Sequence, residues 1–139
     1  GNRGVHSEMK DMIFQNYQNK VQGLLVRNRS ILDILTKYQD AASKVSRSVV
    51  KAVTSCGCIE IHGKRQEVPE DVSLDTLKDY MDSHVSGNLC PHCRSIIEDE
   101  LGSQLFYMAS LANTLGISLY DTILHDEKKI SALGKYQLR

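Results

Sequence analysis

Proline is nearly missing from this chain of 139 residues, which holds only Pro69 and Pro91. Because proline breaks helix interiors and removes a ladder donor, its scarcity leaves most of the chain free to run as long helices. An excess of charge is also missing. Seventeen Lys and Arg face seventeen Asp and Glu, so there is no overall basic field to hold nucleic acid or an anionic membrane through released counterions. Long apolar runs are absent too: Gly23-Leu24-Leu25-Val26 falls far short of the roughly 20 residues a membrane span needs. No basic-then-apolar signal segment opens the chain, and a cytoplasmic location is expected. Neither internal repeats, heptad runs nor low-complexity tracts occur, and the length suits one ordinary domain rather than two. Residues 1–7 show no periodicity and carry no initiating Met, which marks them as a mobile arm or vector remnant. A single domain is then expected over residues 8–139.

What is present is helical spacing. Met9, Ile13, Tyr17, Val21, Leu24 and Leu25 recur at helical steps and predict a first helix, with a break near Arg27-Asn28-Arg29. From Ser30, the positions Ile31, Leu32, Ile34, Leu35, Tyr38, Ala41, Ala42, Val45, Val49, Ala52 and Val53 predict a long helix over residues 30–55. The period returns at Ile96, Ile97, Leu101, Leu105, Met108, Leu111, Ala112 and Leu115, with Gly116 suited to a left-handed cap. Ser118 and Asp121 read as a capping pair for a last helix carrying Leu119, Ile123, Leu124, Ile130 and Leu133, closed by Gly134. Between the second and third helices lies an excursion. It includes the alternation Ile59-Glu60-Ile61, Pro69 and a small helix expected from Ser73 to about Ser83. The economical architecture is an all-α bundle of about four helices.

Four cysteines stand out against this background. Cys56 and Cys58 form a Cys-Gly-Cys step after the second helix, and Cys90 and Cys93 a Cys-Pro-His-Cys step at the start of the third. Two close pairs let two local turns present four thiolates to one tetrahedral ion, and zinc favours that donor set. Such an ion would staple residues 56–93 and pin two helix ends. His62 and His92 are alternative ligands, but four thiolates complete the shell and leave no open position, which argues for a structural rather than catalytic zinc. A tetrathiolate site is also open to iron. Two other readings compete: four unrelated cysteines, or a redox pair. Cys90-Pro91-His92-Cys93 resembles the active-site step of thioredoxin-like oxidoreductases, though that reading needs a βαβ context the helical pattern does not supply.

The stretch Glu98-Asp99-Glu100-Leu101-Gly102-Ser103-Gln104-Leu105-Phe106-Tyr107, continuing Met108-Ala109-Ser110-Leu111-Ala112-Asn113-Thr114-Leu115-Gly116-Ile117-Ser118-Leu119, resembles the third and fourth helices of MazG-like proteins. The likeness extends over residues 96–136. It implies an all-α nucleoside triphosphate pyrophosphohydrolase fold, a homodimer, and Mg²⁺ held by a Glu-x-x-Glu step on one helix and a Glu-x-x-Asp step on the next. Here Glu100 takes the place of the Glu in the second step, and Ser103 stands where the Asp should be. The preceding helix offers Lys44, Arg47 and Lys51 in place of carboxylates, with Asp40 about a turn earlier and Asp33 earlier still.

One carboxylate beside several cations would repel Mg²⁺ rather than hold it. The expected reading is therefore a non-catalytic or regulatory MazG-like domain stabilised by zinc. The alternatives are an active Mg²⁺-dependent pyrophosphohydrolase using Glu100 with displaced acids Asp40 or Glu98, or a thiol redox protein using Cys90 and Cys93. Lys44, Arg47 and Lys51 sit at steps of three and four on one side of their helix, which makes them either a solvated face or contacts for phosphate or an acidic partner. Phe106, Tyr107 and Met108 read as packing residues of the core or a dimer.

Overall fold

The computed structural model describes residues 12–24 and 30–137, and about 70% of it is helical. The expected arm at residues 1–7 and the break at residues 27–29 lie outside the described residues. Among the described residues five α-helices follow in order: α1 (Ile13–Leu24), α2 (Ile31–Lys51), the short α3 (Leu74–Leu77), α4 (Pro91–Leu115) and α5 (Leu119–Gln137). The bundle rests on α2 packed along α4, with α1 laid against α4 and the start of α5.

Local chemistry sets the helix ends. Ser30 caps α2 by accepting the Leu32 amide through its hydroxyl, and Asp33 in the first turn complements the positive end of the helix dipole. The last turn of α2 widens into a π-helical segment, Ala52–Cys56, which Gly57 stops by taking a left-handed φ of 79°. Pro91 occupies the first turn of α4, where an amide has no intrahelical partner, and Gly116 ends that helix at φ 69°. Ser118 caps α5 by accepting the Asp121 amide at 3.2 Å, as its spacing from Asp121 suggests. The backbone of α5 then runs through Gly134 to Gln137, so the glycine expected to close this helix does not do so.

The core is thin and divided. At one end Ala52, Ile59, Cys93 and Ile97 are buried together, flanked by Val49, Val53 and Leu89. At the other, Val21 and Ala109 are buried among Tyr17, Phe106 and Leu119, while Ile34 and Ala41 line the inner face of α2. Gln18 fastens that second end. Its amide nitrogen donates to Asn113 Oδ1 at 3.0 Å and to the Ile117 carbonyl at 2.9 Å. Its carbonyl oxygen Oε1 accepts the Leu119 amide at 2.8 Å, so one buried polar side chain holds α1 to the α4–α5 turn.

The excursion between α2 and α4 opens and closes on a two-stranded antiparallel ribbon. β1 (Ile59–Ile61) pairs with β2 (Val85–Gly87), Ile59 opposite Gly87 and Ile61 opposite Val85. The alternation at residues 59–61 thus marks a real strand, but its partner lies far along the chain. The small helix is confined to Leu74–Leu77, with turns continuing it to Tyr80, because its sequence carries too few residues to propagate a helix.

Candidate metal centre

The four cysteines arrive at one point from two helix ends and the base of the ribbon. Cys56 closes the π-helical turn, and Cys58 follows Gly57 and leads directly into β1. Beyond β2 the chain reaches Cys90, the N-cap of α4, with Cys93 in that helix's first turn. Gly87 makes the approach possible. It takes φ 85°, and a Cβ there would lie 2.5 Å from the Cys58 carbonyl oxygen, closer than such atoms can stand.

All four Sγ atoms lie within 4.8 Å of one another, and those of Cys56 and Cys90 are 3.8 Å apart. Zinc–thiolate bonds of about 2.3 Å in a tetrahedron place sulfurs about 3.8 Å apart, so the Cys56–Cys90 pair already has that separation and no pair needs to contract by more than about 1 Å. The four could hold a metal ion. Among the described residues they are the one group of three or more Cys, His, Asp or Glu side chains close enough to share one. His92 lies on the wall of the adjoining groove, and His62 instead meets Glu60 at 3.1 Å across an exposed surface.

Exposure and acidity differ across the cluster. Cys56 is exposed, Cys58 and Cys90 are half-buried, and Cys93 is buried. The Cys93 backbone amide donates to Cys90 Sγ at 3.3 Å, one of the free N–H groups in the first turn of α4 turned onto a thiol. That bond, with the Cys93 thiol beside it, pushes Cys90 down to about 7. Cys93 is pushed up to about 12, first by its thiol contact with Cys90 and then by burial. Four thiols this close cannot all ionise without a cation among them.

A groove of about 600 Å³ runs from this cluster between α2 and α4. Lys44, Arg47, Lys51, His92 and Glu100 line it together with Cys56 and Cys93. The structure thus gathers the three cations and Glu100. Asp40, Glu98 and Ser103 are not part of that lining, and Asp40 pairs with Lys44 at 3.2 Å on an exposed surface. Phe106 packs beside Val21 and stacks edge-on against Tyr107 at 5.2 Å, as packing residues should.

No family model, curated protein or solved structure matches this chain. Its chemistry must therefore be read from its own residues. The residues that spacing did not reveal are Gln18, Asn113 and Gly87: the first two are polar positions outside any apolar period, and the third matters only because another strand passes it.

No helix of the described residues is long and apolar enough to cross a membrane.

Proposed function

We propose that this chain is a non-catalytic helical module of MazG-like plan, fastened by one structural zinc on Cys56, Cys58, Cys90 and Cys93. The observation that carries the reading is the convergence of four sulfurs within 4.8 Å. Thiolates are soft donors, which favours zinc over Mg²⁺ or Ca²⁺, and the mutual spacing suits a single ion rather than a cluster of several irons. When bound, zinc supplies a closed tetrahedral joint and no open position for water. The four cysteines neutralise and orient it, while the ribbon and the N-cap of α4 bring the two pairs together.

The groove supports a binding role beside that joint. Arg47 and Lys51 have no ion-pair partner among the described residues, and both face the groove with Lys44, a setting suited to a nucleotide phosphate or an acidic partner segment. Binding of a nucleotide panel to the native protein and to a Lys44→Glu, Arg47→Glu double variant tests this, and unchanged affinity would end it. The carboxylates argue against the hydrolase alternative. Glu100 stands in the groove among cations, with no second acid lining it to share an Mg²⁺. Pyrophosphate release from a nucleotide panel in the presence of Mg²⁺ is the check, and sustained turnover would overturn the non-catalytic reading.

A homodimer is part of the proposal because α5 is scarcely covered by the other described residues. From Asp121 to Leu133 every residue is exposed, including Ile123, Leu124, Ile130 and Leu133. An isolated helix of this length is marginal in water, so its apolar side calls for a partner, and a second copy offers matching exposed Leu101 and Leu105 on α4. The thiol redox alternative has less support: Cys90 and Cys93 do open a helix, but the strands nearby form an antiparallel ribbon without the βαβ setting of that chemistry.

A further inference from the structure

Structural zinc sites are commonly sealed, and this one is open along one edge. Cys56 is exposed at the end of α2, and the groove reaches both Cys56 and Cys93 past Ser55 and His92. A small oxidant can therefore reach one sulfur without prior unfolding. From the other helix, the Cys90 sulfur stands 3.8 Å away. The ring closed by joining Cys56 to Cys90 spans 34 positions, and the two residues come from separate elements whose approach is already fixed by the β1–β2 ribbon. Within the Cys-Gly-Cys step, by contrast, a disulfide would have to form across a single residue whose backbone is held at φ 79° by the helix stop.

We propose that Cys56 and Cys90 form a disulfide on exposure to hydroperoxide and that this expels the zinc. The proposal rests on the metal reading above. With the metal bound all four cysteines are thiolates, so access rather than acidity selects the one that reacts. The Cys56 thiolate attacks one oxygen of hydrogen peroxide, the O–O bond breaks, and Cys56 becomes a sulfenic acid as hydroxide leaves. The Cys90 thiolate then attacks the Cys56 sulfur, the S–O bond breaks, and a second hydroxide leaves. Two thiolate electron pairs have become one S–S bond, and one peroxide has been reduced to two hydroxides, which take up two protons from solvent as water. Cys58 and Cys93 alone are too few to retain a tetrahedral ion, and zinc departs. The sulfurs need to close from 3.8 Å to about 2.05 Å.

The consequence is a joint with two states. In both, the end of α2 remains tied to the start of α4, through zinc in one and through a disulfide in the other. What changes is the hold on Cys58 and Cys93, and with it the base of the ribbon and the floor of the groove.

The test uses the purified zinc-loaded chain treated with hydrogen peroxide, with released zinc read by a chromogenic chelator and disulfides mapped by mass spectrometry of unreduced peptides. Expected are one zinc released per disulfide formed, a dominant Cys56–Cys90 linkage, and rebinding of zinc after reduction. A Cys56→Ser variant should release residual zinc at least tenfold more slowly. If that variant does not retain zinc, the linkage map of the native chain decides alone. Zinc retained under peroxide, or a dominant Cys90–Cys93 linkage, overturns the inference while leaving the metal reading intact. A chain that never holds zinc overturns the metal reading itself.

Discussion

The Sγ atoms of Cys56 and Cys90 stand 3.8 Å apart although 34 positions separate them along the chain. One sulfur ends the π-helical turn after α2 and the other caps α4, so the exit of one long helix is held against the entry of the next. Everything between them, the ribbon and the short helix α3, is a loop closed at that point.

Gly87 should prove as important to the joint as a ligand. Its φ of 85° suits glycine, and an added Cβ would strike the Cys58 carbonyl at 2.5 Å. Gly87→Ala is expected to push Cys58 away from the other three sulfurs, and the backbone strain alone costs on the order of 1–3 kcal/mol. Zinc should then pass to a competing chelator at least tenfold faster. Gly57→Ala, strained at φ 79° but with open space around its Cβ, should have the smaller effect on metal transfer.

Gln18 should matter more to stability than its place on a polar stretch suggests. Gln18→Ala removes three side-chain hydrogen bonds and leaves the Ile117 carbonyl and Leu119 amide without that partner. At about 1 kcal/mol for each bond the expected loss is about 3 kcal/mol, seen as a fall in Tm of roughly 10 °C. Zinc content should stay unchanged, because this network lies at the opposite end of α4 from the cysteines. A Tm within 2 °C of the native value, on the order of measurement scatter, would contradict the assignment.

In the metal-free protein the thiols should titrate unequally. Cys90, pushed down to about 7 by the Cys93 amide and thiol, should be alkylated first, with a rate that rises through neutral pH and levels off above it. Cys93, pushed up to about 12, should react last. Equal rates at all four cysteines would show that the N-cap contact does not form. Zinc loading removes this order, since the ion holds every ligand as thiolate.

Acid should loosen the turn before β2. The His84 amide donates to Asp82 Oδ1 at 2.9 Å, which holds the Asp82 carboxyl below the usual aspartate range and fixes His84 at a positive φ of 61°. A depressed folded value means the carboxylate stabilises this turn at pH above the ordinary aspartate value of about 4 and ceases to do so as pH falls through the lower folded value. Protection of the His84 amide, measured against its intrinsic exchange rate at each pH, should therefore fall in acid. An Asp82→Ala variant, which removes the acceptor, should show weak protection at neutral pH as well.

The helices were legible because their signals are local. Ser30, Gly116, Ser118 and the apolar period of α2 and α4 each act within a few residues, and the structure places ends where they predict. The two cysteine pairs were legible for the same reason: each pair announces itself over a short step. What escaped the sequence depends on distant segments. Val85-Ser86-Gly87 has no strand pattern of its own and becomes β2 only because Ile59-Glu60-Ile61 lies beside it. Gln18 is one polar residue until Asn113 and Ile117 arrive. Gly134 did not act as a stop, since the helix continues to Gln137 and a glycine within a helix costs only about 1 kcal/mol.

The most direct measurement is metal stoichiometry with its effect on folding. Protein purified without added chelator should contain one zinc per chain by elemental analysis, and its thiols should react with a bulky disulfide reagent far more slowly than after the metal is removed. Chelation should then free four thiols and lower stability by an amount on the order of 10 kcal/mol, the scale of a structural zinc site. A chain that folds with the same Tm and four reactive thiols whether or not zinc is supplied would contradict the account at its centre.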